Sequence, residues 1–119
     1  MKLIIHGQMP SLKNAQKTTR TGHFYTDSKV KNFMKDAKDE IALQWRGTAL
    51  PMIDNLTIVS YNQDNRKHDL SNQLDTICDI IKGIVVKDDD QNCIQSIQLQ
   101  YGGVDKNNPR TEIWVDTPL

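Results

Sequence analysis

Apolar and polar positions change period several times along the chain, and each change marks an element. Leu3, Ile4 and Ile5 form a short apolar run closed by Gly7 and Pro10, which predicts a strand over residues 2–7. Residues 8–26, QMPSLKNAQKTTRTGHFYT, have no period and are rich in Ser, Thr, Asn and Lys. They predict a loop of a length that compact domains reserve for function or leave disordered. After the N-cap pair Asp27-Ser28, Val30, Phe33, Met34, Ala37, Ile41 and Trp45 recur at three- and four-residue steps up to Arg46-Gly47. Their single stripe predicts a helix whose aromatic and Met positions face a core. Pro51 breaks the chain, and the alternating, β-branched Leu56–Tyr61 predicts a strand. A second helix is predicted over residues 69–82, with Leu70, Leu74, Ile77 and Ile81 as its buried stripe, extended to Ile84, and Gly83 as its stop. In Cys93–Tyr101, Ile97, Leu99 and Tyr101 alternate with Ser96, Gln98 and Gln100. Gly102-Gly103 and Asn107-Asn108-Pro109 then lead to a last strand, Thr111–Asp116, so the two strands predict a terminal hairpin.

The element order is β-α-β-α-β-β, which predicts an α+β fold: a single two-layer domain spanning residues 1–119, a mixed sheet with two helices. A chain of 119 residues with 37% hydrophobic and 25% charged residues has the composition of an ordinary globular domain. No apolar run approaches the roughly 20 residues of a membrane span. The opening MKLIIHGQMP is too short in apolar residues for a signal-peptide core, and the expected location is cytoplasmic. Cys78 and Cys93 lack C-x-x-C spacing and read as small buried hydrophobes rather than metal ligands.

The formal net charge is zero, yet it is unevenly spread. Residues 1–35 carry seven Lys or Arg against Asp27 alone, a balance of +6, which leaves eight cations against fourteen carboxylates, −6, for residues 36–119. A basic end suits nucleic-acid phosphates and an acidic end suits divalent cations, although ordinary solvated faces produce the same count. The basic candidates for DNA contact are Lys13, Asn14, Lys17, Arg20, Lys29 and Lys31, with His23 and Tyr25 in the same loop.

The acidic residues are more ordered. Ser71, Asp75 and Asp79 follow one another at i+4 on the second helix, with Asn72 beside them, and Asp69 stands at the helix start. Asp88-Asp89-Asp90 follow in the loop beyond. The two ends of the helix are about 20 Å apart at 1.5 Å per residue, so these carboxylates meet only where the 88–90 loop folds back. Folded back, they supply hard oxygen ligands for Mg²⁺. The alternatives are that Asp69 is an N-cap and that the three consecutive aspartates are a solvated turn. There is no glycine-rich phosphate loop, no G-x-S-x-G elbow, and no His pair, since His6, His23 and His68 are far apart.

The string His68-Asp-Leu-Ser-Asn72, then Asp79, Gly83 and Asp88-Asp89-Asp90-Gln91, resembles the RusA-type Holliday junction resolvases, whose pattern is D-x-D-N, a helical D, then G and D-D-x-Q. Ile5–Asn14 and Gly22-His-Phe-Tyr-Thr26 are similar to that family's opening strand, its Pro/Lys/Asn loop and its G-x-x-Y-T element, so the resemblance covers nearly the whole chain. It implies a homodimeric, Mg²⁺-dependent (or Mn²⁺-dependent) endonuclease of phage or prophage type, making paired nicks in four-way DNA junctions during recombination and repair. It places Asp69 and Asp89 among the catalytic carboxylates, Asp88 and Asp79 among the metal-proximal ones, and Asn72 and Gln91 in supporting positions. Two positions depart from the pattern: Ser71 stands where a second catalytic Asp is expected, and Asp75 where a basic residue is usual. Asp75 lies about 6 Å further along the same helix face, so Asp69, Asp75 and Asp89 form the expected carboxylate set. The missing cation is sought in Lys13, Lys67 or Lys87. Ser71 also favours a second reading, a branched-DNA-binding homologue without turnover, and a third is a metal-binding or interaction domain with no DNA role.

Overall fold

The computed structural model describes residues 1–10 and 28–117, and the backbone of 16–18 and 24–26. Eight elements follow in order: β1 (Lys2–His6), β2 (Gln16–Thr18), β3 (Phe24–Thr26), α1 (Ser28–Gln44), β4 (Asn55–Asn62), α2 (Leu70–Ile81), β5 (Ile97–Val104) and β6 (Arg110–Asp116). β1, α1, β4, α2, β5 and β6 give the expected α+β order. Within residues 8–26, which the sequence predicted as loop, β2 and β3 pair antiparallel as a separate two-stranded ribbon.

The main sheet runs β1-β6-β4-β5. β6 lies antiparallel to both β1 and β4, while β5 lies parallel to β4. The predicted β5–β6 hairpin therefore does not form, because β4 separates the two strands. The physical reason lies in their side chains. β6 buries Thr111, Glu112, Ile113 and Val115 and belongs at the sheet centre, whereas Gln98, Gln100 and two glycines suit β5 to an edge. The connection crosses the end of β4, where the Asp105 N–H donates to the Asn62 carbonyl at 2.8 Å.

Both helices cover one face of the sheet. Leu3 and Ile5 of β1, Leu56 and Ile58 of β4, and Ile113 and Val115 of β6 meet Met34, Ala37 and Ile41 of α1 and Ile77, Ile80 and Ile81 of α2. The α1 stripe is the predicted one. The α2 face is rotated from its prediction: Leu70 is exposed and Leu74 half-buried, while Gln73, Thr76 and Ile80 are buried. Segment 8–10 causes the rotation by lying against α2 with its backbone carbonyls unpaired in any strand. Thr76 Oγ1 donates to the Pro10 carbonyl at 2.9 Å and Gln73 Nε2 to the Met9 carbonyl at 3.5 Å, so polar side chains must face inward there. β5 also starts four residues later than predicted. The Asp90 carboxylate and carbonyl gather the Asn92, Cys93 and Ile94 N–H groups into a turn, and Cys93 belongs to it.

The two edges of the sheet differ. At β1, the Gln44 side chain of α1 accepts from the Ile4 N–H and donates to the Ile4 carbonyl, both at 2.8 Å, and Glu40 accepts from the His6 N–H at 2.7 Å. At β5, no strand among the described residues covers the outer edge. No helix among the described residues is long and apolar enough to cross a membrane.

Candidate functional site

β4, α2 and β5 form a β-α-β unit, so α2 starts near the C-terminal ends of two parallel strands and runs back beside them. Asp69 caps α2. Its Oδ1 accepts from the Ser71 N–H at 2.9 Å and from the Ser71 hydroxyl at 2.7 Å. The capping alternative for Asp69 is thus realised, and Ser71 is the residue that holds its carboxylate.

Asp75 and Asp79 lie one turn apart on the exposed side of α2. Asp79 faces α1, with Lys38 Nζ at 4.0 Å. The acidic loop returns toward this half of the helix. Asp88 sits 3.6 Å from Lys82 Nζ at the α2 C-cap, and its Oδ1 accepts from the Asp89 N–H at 2.8 Å. That backbone bond, a side-chain bond with Asp89 and the Lys82 charge hold the Asp88 carboxyl below its usual range. The Cys78 thiol registers where the loop goes: burial, then the charges of Asp89 and Asp75, push its pKa to about 11. Asp90 is consumed by its turn.

Asp69 lies six positions before Asp75, about 9 Å along the helix axis. Among the described residues no three His, Cys, Asp or Glu side chains converge on one metal-sized site. Asn72 is half-buried on the first turns of α2, and Gln91 is exposed beyond the acidic loop.

The basic candidates divide. Lys29 and Lys31 are exposed on the first turn of α1. Lys13, Asn14, Arg20 and His23 lie outside the described residues, as do the side chains of Lys17 and Tyr25, whose backbones pair across β2 and β3. The basic segment leaves the described core at Pro10, hydrogen-bonded to Thr76, the residue after Asp75. Cationic chain and acidic helix thus share one origin.

The profile of one known family, Endodeoxyribonuclease RusA, matches residues 7–116. The chain belongs to the RusA family. The match takes in the basic segment, the Asp69 cap, the α2 carboxylates and the acidic loop, so each stands in its family context. No curated protein matches the chain.

A further group of residues was missed from sequence. At the C-terminal ends of β4 and β5 a cleft of about 400 Å³ is lined by Asn62, Asn65, Arg66, Lys67, His68, Leu70 and Tyr101. It adjoins Asp69, and it contains Lys67, one of the cations sought for the active site. Only the density of Asn, Arg, Lys and His over residues 62–68 signalled it, because Tyr101 reaches it through the parallel pairing that replaced the expected hairpin.

Proposed function

We propose that this RusA-family chain is a divalent-metal-dependent endonuclease that cuts four-way DNA junctions by paired nicks and acts as a homodimer. The observation that carries the reading is the family match over residues 7–116, and the 3.6 Å ion pair between Asp88 and Lys82 at the α2 C-cap, which returns the acidic loop to the helix that carries Asp75 and Asp79, supports it. The donors fit Mg²⁺ or Mn²⁺ in kind, being carboxylate oxygens on exposed residues, and Mg²⁺ needs only one or two carboxylates when phosphate and water complete its shell. Asp75 and Asp89 would hold the ion, with Asp69 at the adjoining strand ends and Asp88 and Asp79 beside them. When bound, the ion supplies an activated water and offsets charge on the phosphate. Lys29 and Lys31, with the basic segment leaving Pro10, bind backbone phosphates, and Lys67 supplies positive charge next to Asp69. A two-fold junction needs two nicks and each copy carries one site, which is the argument for the dimer.

The test is cleavage of a labelled four-way junction and of matched linear duplex, with Mg²⁺ or EDTA, by wild type, Asp69→Asn, Asp75→Asn and Asp89→Asn. Asn preserves the α2 cap at position 69, so a loss there reports the missing charge rather than a melted helix. Symmetric, metal-dependent nicks abolished in all three variants are expected. A second reading, junction binding without cleavage, is favoured by the 2.7 Å bond from the Ser71 hydroxyl that ties Asp69 to the cap. Tight binding with no cut under any divalent metal establishes that reading instead.

A further inference from the structure

Apart from Lys67, the cleft at the ends of β4 and β5 has a composition the carboxylate chemistry does not use. Tyr101 is 53% exposed, a large aromatic ring left open on β5 beside the irregularity in its pairing with β4. Arg66 is 82% exposed in its side chain and paired with Asp64 at 3.6 Å, and Lys67 is exposed beside it. The Nε2 atom of His68 is buried and has no hydrogen-bond partner among the described residues, an unsatisfied polar atom in the lining of a cavity. Asn62, 5% exposed, is fixed from behind by Gln8, whose Nε2 donates to its Oδ1 at 3.0 Å. An open aromatic face, two cations and a polar floor are the parts with which proteins hold a nucleotide whose base has left the stack. The volume, about 400 Å³, lies within the roughly 300–1,000 Å³ of small-ligand sites and has no room for paired bases.

We propose that this cleft takes one unstacked nucleotide from the branch point of the DNA, with its base on the Tyr101 ring and its phosphate between Arg66 and Lys67. The proposal rests on the junction-binding reading and deepens it. A branch point is where a base loses its stacking neighbour most cheaply, so the cleft selects branched over linear DNA by what it accepts rather than by sequence. Because Asp69 directly follows His68, the captured nucleotide also sets which phosphate is presented to the carboxylates.

The test places 5-iodouracil at each branch-point position of a four-way junction. Photocrosslinks are mapped by peptide mass spectrometry, and affinity is measured by anisotropy for wild type, Tyr101→Leu and Tyr101→Trp. Tyr101 is exposed, so both variants are expected to fold, which thermal melts verify. A crosslink at Tyr101 is expected, with about tenfold weaker junction binding in Tyr101→Leu, recovery in Tyr101→Trp and unchanged binding of linear duplex. Crosslinks confined to other residues, or an unchanged affinity of Tyr101→Leu, overturn the cleft proposal while leaving the nuclease reading in place. A wild-type protein that does not bind the junction at all overturns both.

Discussion

Gly102 shows how little space the β4–β5 pair leaves. A Cβ there would stand 2.7 Å from Val59 Cγ1 and 2.8 Å from Tyr61 Cε1, on the sheet face where the Arg110 guanidinium lies 4.1 Å over the Tyr61 ring. Gly102→Ala is expected to destabilise the protein by about 1–3 kcal/mol, read as a lowered melting temperature. Glu112 belongs to the same face. Burial opposes its charge, but the hydrogen bond from Arg110 Nε at 2.9 Å and the charges of Lys2 and Arg110 outweigh it and hold its carboxyl below the ordinary value. A depressed folded pKa contributes stability above the unfolded value of about 4.3, and that stability is lost as pH falls through the folded one. Glu112→Gln is therefore expected to lose about 1–3 kcal/mol at pH 7, and the difference from wild type to close in chemical denaturation as pH falls through the lowered carboxyl pKa. Cys78, with its thiol pushed to about 11, is expected to resist alkylation at pH 8 until the protein unfolds.

Among the elements, the loop between α2 and β5 assigns different work to three identical neighbours. Asp90 accepts from two backbone N–H groups and holds the turn, Asp88 accepts from Asp89 N–H and faces Lys82, and Asp89 stays exposed, its charge helping to raise the Cys78 pKa. Asp90→Ala is expected to cost about 0.5–2 kcal/mol of stability, whereas Asp89→Ala leaves the melting temperature near wild type and removes junction cleavage. That division was not legible in a run of three aspartates, because their backbone partners depend on where the turn closes. The α1 stripe was legible, since one side of that helix meets one core. The α2 stripe was misplaced by a few positions because Met9 and Pro10 contribute bare carbonyls, which draw Gln73 and Thr76 inward and release Leu70 to the surface. The hairpin error has a related origin. Adjacency in sequence favoured pairing β5 with β6, but β6, which buries four of its seven side chains, takes a central position that no local signal announces. The Asp69-Leu-Ser-Asn72 and Asp88–Gln91 strings placed the chain in its family, while the Tyr101 cleft depended on long-range pairing and left no periodic trace.

For the whole molecule, the charge split bears on how a RusA-family chain meets DNA. With the proposed phosphate contacts from the basic N-terminal third and from Arg66 and Lys67, junction affinity is expected to fall steeply and log-linearly with salt, by about 0.9 per phosphate neutralised. The dimer is expected at β5. Leu56 N–H donates to the Ser96 carbonyl, so residues 96, 98 and 100 turn their backbone groups to β4, and Ile97 and Leu99 turn theirs outward. Ile97→Lys is expected to yield monomers in sedimentation and to replace paired nicks with single ones.

The Gln44 amide on β1 then acquires a meaning beyond one helix and one strand. A sheet with two open sides could add copy after copy in a row, and this one has a single open side because Gln44 and Glu40 occupy the other. Joining two copies back to back about a two-fold axis consumes both open sides at once. In the proposed dimer, growth is then expected to halt at a pair, with Gln44 and Glu40 limiting the stoichiometry.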